Sequence, residues 1–137
     1  MFYVKNIVHP SKHTPYGGSS GIADIVVCGK DWSAATFVMV LADQEGGTTR
    51  VTLGNATAGS QGISATYDAD YVHPNSGAVV GATTIRPQID ETTLEALTYP
   101  AAPADLELVH DLLVTPSGEN QRVFRKGKFT IEQGAGD

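Results

Sequence analysis

Four histidines, His9, His13, His73 and His110, and a single cysteine, Cys28, are the side chains of this sequence best suited to metal ligation or nucleophilic chemistry. His9 and His13 stand four apart, a spacing that would put two imidazoles on one face of a helix. Pro10 and Pro15 disfavour a helix there, so the pair reads as two exposed loop histidines. Asp68-Ala69-Asp70 sets two carboxylates on one side of an extended segment, and Asn75 and Ser76 add oxygens from the next loop. Calcium asks for about six to eight oxygens, more than this group supplies, and the acids read as solvated. Tyr16-Gly17-Gly18-Ser19-Ser20-Gly21 has the glycines of a phosphate loop, but no lysine follows and a strand-like run stands where a helix is required. Gly17-Gly18-Ser19-Ser20-Gly21 has the Gly-x-Ser-x-Gly spacing, but a strand-like run rather than a helix follows it and the serines sit in loops without the local context of a nucleophile elbow. Cys28 sits in an apolar run, where a thiol packs as a small hydrophobe. Asn55-Ala56-Thr57 fits a glycosylation sequon that carries no weight without a secretory signal. No catalytic residue, metal ligand or cofactor is expected.

The elements that would position these residues are mostly strands. Phe2 to Val8 is β-branched and aromatic, and His9-Pro10 stops it. Ser11 to Gly21 has no periodicity and reads as a mobile arm or long loop. Ile22 to Cys28 and Thr36 to Ala42 are apolar runs, the second ended by the turn-forming Asp43 to Gly47. Thr49, Val51 and Leu53 alternate with Thr48, Arg50 and Thr52, as a half-buried strand requires. Gly54 to Gly62 is a surface loop, Ile63 to Tyr67 a strand, His73 to Gly77 a loop, and Val79 to Ile85 a strand. Asp90 to Leu97 is the one helical stretch: Asp90 can cap the amide three residues on, Glu91 suits the N-terminal dipole, and Leu94 and Leu97 share a face. Leu106, Leu108, His110, Leu112 and Val114 alternate along one face, where His110 reads as a core or interface histidine. Asp111 faces the other way, so the two make no acid–base pair by adjacency. After a turn at Pro116 to Asn120, Gln121 to Lys126 and Lys128 to Glu132 form the last strands, broken or bulged at Gly127.

Seven or more short strands with one short helix and no βαβ alternation predict an all-β antiparallel sandwich. The length of 137 residues suits one domain, divided into an N-terminal strand and flexible arm over 1–21 and a sandwich over 22–137. One cysteine excludes an intrachain disulfide framework. A formal charge of -6 argues against a phosphate-backbone binder, and no apolar run approaches the length that spans a bilayer. Met1 to Lys5 lacks the basic and apolar regions of a secretory signal, so none is expected.

A series of short motifs adds to this. Thr36-Phe37-Val38-Met39-Val40, the acidic-glycine turn Asp43 to Gly47, Arg50-Val51-Thr52-Leu53, Gly62-Ile63-Ser64-Ala65, Glu95-Ala96-Leu97, His110-Asp111-Leu112, Ser117-Gly118 and Phe124 to Ile131 occur in that order. The succession resembles the small immunoglobulin-like tail, baseplate and fibre-attachment proteins of tailed bacteriophages over about two thirds of the chain. His110 departs from the tyrosine usual there, and Asp68 to Gln88 and the first 21 residues have no counterpart. The resemblance implies an immunoglobulin-like sandwich and a non-enzymatic virion protein, made in the host cytoplasm and present in several copies among other virion proteins. It implies neither a nucleic-acid nor a membrane partner. A carbohydrate or cell-surface binding module, against which the single Trp32 and five scattered tyrosines count, and a capsid decoration protein are the alternatives.

Two sets of residues are expected to form protein interfaces. Arg122, Arg125, Lys126 and Lys128 hold four of the nine positive charges and would offer a docking face to an acidic neighbour. Phe2, Tyr3, Val4, Ile7 and Val8 are too apolar for a free tail and should add to a sheet edge, for which a neighbouring subunit is favoured over the chain's own sandwich.

Overall fold

The computed structural model describes the backbone of Val4 and Lys5 together with residues 10–18 and 23–134. In chain order the strands are β1 (Val4–Lys5), β2 (Tyr16–Gly17), β3 (Ile25–Cys28), β4 (Thr36–Ala42), β5 (Thr49–Leu53), β6 (Gly62–Asp68) and β7 (Ala82–Ile89). The short helix α1 (Glu91–Glu95) precedes β8 (Leu106–Thr115) and β9 (Arg122–Ile131). One sheet has the order β1-β9-β8-β4-β5; in the other, β7 pairs with β6 and also with β3 and β2. Every pairing is antiparallel except β1 on β9. The expected all-β sandwich with one short helix is therefore present. No helix among the described residues is long and apolar enough to cross a membrane.

The alternation in the sequence makes the inner faces. Phe37, Met39 and Leu41 of β4, Leu108, His110, Leu112 and Val114 of β8, and Phe129 and Ile131 of β9 are buried. They pack with Ile63, Ile85 and Ile89 of the other sheet and with Leu94 of α1 in one core. Each fully buried side chain of this size contributes about 1.5–3 kcal/mol. β7 runs four residues beyond the expected end at Ile85, through Pro87. On the β7 side where pairing passes from β3, opposite Ile85, to β2, opposite Gln88, Pro87 falls in the gap, where a missing N–H is tolerated.

The helix is shorter than the sequence suggested, and the Asp90 side chain makes no cap bond to it. Gln61, in the loop before β6, braces the start of the helix instead without capping its amides: its Oε1 accepts from Asp90 N at 2.9 Å and from Thr93 Oγ1 at 2.6 Å.

The N-terminal boundary also needs correction. Tyr16 is buried with its ring edge-on to Phe129, centroids 5.2 Å apart, so it belongs to the core rather than to a mobile arm. Gly17, at φ +73, passes so close to β7 that a Cβ there would stand 2.0 Å from the Pro87 carbonyl oxygen. The described part of the first strand pairs with its own sandwich, where the sequence alone favours a neighbouring subunit: Val4 and Lys5 run parallel to Arg125 and Lys126 of β9. Ser11 bridges Glu132 in the same direction and register, and Lys12 N donates to Glu132 O at 2.9 Å. The free edge of β9 supplies a partner for both segments. Phe2, Tyr3, Ile7 and Val8 lie outside the described residues, as do Ser19 to Ile22.

Candidate functional site

The predicted basic face stands on β9, and one irregularity decides where its side chains point. Leu112 of β8 is opposite Arg125 but Leu113 is opposite Val123, so Phe124 is an extra residue in the ladder. The bulge is at Phe124 rather than at Gly127, whose φ of +154 is accommodated within a continuous strand. Because each bulge resets which face a residue occupies, both arginines turn toward the space between the sheets and both lysines away from it. Arg122 is opposite the buried Val114, and its guanidinium lies 5.7 Å from the centre of the Trp32 ring while Nη2 donates to Glu119 at 2.7 Å. Its Nε is buried with no hydrogen-bond partner. Arg125, opposite Leu112, is only 4% exposed. Lys126 forms an ion pair with Glu45, and Lys128 is exposed opposite Val109. The four cations therefore do not form one docking face, and Arg125 is unavailable to any partner.

Arg125 instead completes a polar group inside the sandwich. Its Nε donates to His110 Nε2 at 3.0 Å and its Nη2 to the Tyr16 hydroxyl at 3.3 Å. His110 Nδ1 is 3.0 Å from the carbonyl oxygen of Gly127. A carbonyl only accepts, so the proton is on Nδ1 and Nε2 offers its lone pair to the arginine. Burial, with the Arg125 charge beside it, pushes the imidazole down to about 4. The ring also lies edge-on to Phe129, 5.8 Å between centroids. His110 is thus the core histidine that the alternation predicts, kept neutral near pH 7. Among the described residues no ion pair involves Arg125, and no nucleophile or carboxylate joins the group. It can hold Tyr16 and β9 in place but cannot relay a proton to a reacting group.

The remaining sequence candidates separate. The Asp68 carboxylate accepts from the Asp70 amide at 2.9 Å, an Asx turn at the exposed end of β6. Asn75 and Ser76 direct their amides at His73 Nδ1, so these oxygens and acids do not converge. Cys28 is a free, half-buried thiol. Trp32 is 8% exposed and packs edge-on against Phe124. Asn55, weighed in the sequence only as a sequon, holds the start of β4: Phe37 N donates to its Oδ1 at 2.7 Å and its Nδ2 donates to Ala35 O at 3.0 Å. Gln61 and Asn55 give no periodic signal, and a polar residue in a glycine-rich loop is the only hint that either side chain has a backbone partner.

Among the described residues the exposed large hydrophobics are Val26, Tyr67, Val72 and Val79, and the last two stand together on the hairpin between β6 and β7. Val72 and Val79 bridge each other across it, and His73 N donates to Ala78 O at 2.8 Å to close its tip. Facing valines on adjacent strands point the same way, and these two are 52% and 64% exposed. No function can be transferred to this surface from a relative: no protein-family model matches the chain, and neither does any curated protein.

Proposed function

We propose that this chain is a non-enzymatic structural protein of a bacteriophage virion, an immunoglobulin-like adaptor of the tail, baseplate or fibre attachment. It is made in the host cytoplasm and works by contact with other virion proteins. The observation that carries this reading is the ordered hairpin holding Val72 and Val79 clear of the core. Two adjacent β-branched side chains gain free energy when a partner covers them, and a hairpin already folded presents them at little ordering cost. The motifs behind the phage resemblance support it further. Thr36 to Val40 lies in β4, Arg50 to Leu53 in β5, Gly62 to Ala65 opens β6, His110 to Leu112 is central in β8, and Phe124 to Ile131 is most of β9.

The experiment is to purify particles from cells infected by the phage encoding the chain and to count its copies per particle. Copies at tail symmetry support the reading, and copies in capsid multiples point to decoration instead. Val72→Asp with Val79→Asp is expected to leave the melting temperature within about 3 °C, since neither valine is in the core, while the protein disappears from particles. Absence of the wild-type chain from particles overturns the proposal.

A further inference from the structure

Away from the hairpin, three side chains from two separate segments converge. Glu91 and Glu95 stand four apart on α1, the spacing that places side chains on one helical face. His13 reaches them from the stretch before β2, with Nδ1 2.6 Å from Glu95 Oε2. One ligand atom from each of the three lies within 4.8 Å of the other two. We propose that His13, Glu91 and Glu95 bind a divalent transition-metal ion, and that the ion is zinc.

The backbone under these residues is fixed. α1 is anchored by Leu94, which is fully buried, and His13 lies between Lys12, whose amide donates to Glu132 O, and Tyr16 in the core. The side chains themselves are exposed and free to adjust, 45% for His13 and 37% for Glu95. Zinc bonds to imidazole nitrogen and carboxylate oxygen at roughly 2.0–2.2 Å, so ligand atoms at tetrahedral corners are about 3.3 Å apart. That separation falls between the 2.6 Å of the His13–Glu95 contact and the 4.8 Å limit of the group, within reach of small side-chain rotations. Two carboxylates at this spacing repel each other, and a cation between them reverses the sign of the interaction. One imidazole with two carboxylates is a borderline donor set with room for water in the fourth position, whereas calcium and magnesium favour shells made of oxygen. The consequence is a clasp: an ion held here ties the stretch before β2 to the helix after β7.

This inference departs from the sequence expectation of no metal because His13 and the glutamates are far apart in the chain. It is independent of the virion reading. The test is calorimetric titration of the full chain with zinc chloride at pH 7.5, followed by melting with and without one equivalent of the metal. One equivalent is expected to bind and to raise the melting temperature. His13→Ala, Glu91→Gln and Glu95→Gln should each weaken binding at least about tenfold, as loss of a ligand does, and should melt without zinc close to the wild type because all three positions are on the surface. His73→Ala, in the hairpin, should bind as the wild type does. Failure of zinc to bind overturns the site, as does binding that survives the three substitutions or is lost in His73→Ala. If Glu91→Gln alone binds normally, His13 and Glu95 are a hydrogen-bonded pair and the three-ligand site is wrong.

Discussion

Lowering the pH from 7 to 4 is expected to weaken the folded state through His110. In the unfolded chain an imidazole takes a proton near 6.5, whereas in the sandwich it does so only near 4, because burial and the Arg125 guanidinium oppose a second positive charge. Between those values the unfolded state binds more protons, so stability falls as pH falls; above about 7.5 and below about 3 this residue contributes no slope. The window is two and a half pH units wide, and at 1.36 kcal/mol per unit it amounts to roughly 3 kcal/mol. That is a large share of the 5–15 kcal/mol or so that holds a domain together. Protonation also removes the lone pair that accepts from Arg125 Nε, so the link between Tyr16, Arg125 and β8 loosens with it. The assay is urea denaturation at half-unit pH steps, comparing the wild type with His110→Gln. The amide of glutamine can accept from Arg125 and donate to Gly127 but takes no proton in this range. The variant loses the ring contact with Phe129 and should start lower at pH 7, but its stability should be nearly flat between pH 6.5 and 5. Equal slopes in the two proteins, or an imidazole resonance that titrates near 6.5 in the folded protein, would refute the reasoning.

Further outcomes follow from the same structure. Gly17→Ala is expected to lose about 2–4 kcal/mol, since φ is +73 and the new methyl meets the Pro87 carbonyl; an unchanged thermal midpoint would detach residues 10–18 from the sandwich. A chain beginning at Gly21 lacks Tyr16 and should be strongly destabilised, seen as loss of a cooperative thermal transition; if it melts like the full chain, the earlier residues form a dispensable arm after all. Gly127→Val should cost about 1–3 kcal/mol, because φ is +154 at a position opposite His110, and melting again reads it. Asn55→Ala leaves the Phe37 amide and the Ala35 carbonyl without partners and should cost about 1–3 kcal/mol in denaturant unfolding.

Strands with a regular alternation were legible from the sequence. Leu108, His110, Leu112 and Val114 of β8 and Val51 and Leu53 of β5 face inward as their spacing demands. Here the period of two is imposed by covalent geometry, and burial simply selects a side. The failures occur where a single residue changes the phase or where a partner is remote. An extra residue at Phe124 sends Arg125 into the core, and nothing in Gln121 to Lys128 marks Phe124 rather than Gly127 as the site of the bulge. Tyr16 follows His13-Thr14-Pro15 and precedes two glycines, a context that resembles an exposed turn, yet its burial depends on Phe129 and Arg125 at the far end of the chain. The grouping of His13 with Glu91 and Glu95 was invisible for the same reason. Helix periodicity pairs the two glutamates, but only the tertiary fold brings the imidazole to them.

The way β7 gathers its partners also bears on the order in which the sandwich can form. Tyr16 pairs with Ile89 and Ile25 with Ile85, so β2 and β3 have no partner until a strand much later in the chain is present. The β4–β5, β6–β7 and β8–β9 ladders, by contrast, join strands that are neighbours in sequence and close comparatively short loops. Loop-closure entropy favours these hairpins as early structure. During synthesis β2 and β3 must wait unpaired for β7. Sheet closure waits longer still, because β9 follows every other described strand and both Val4 and Ser11 need its outer edge. The interval before β9 is complete is when the unpaired strands of such a chain are most open to pairing with another copy.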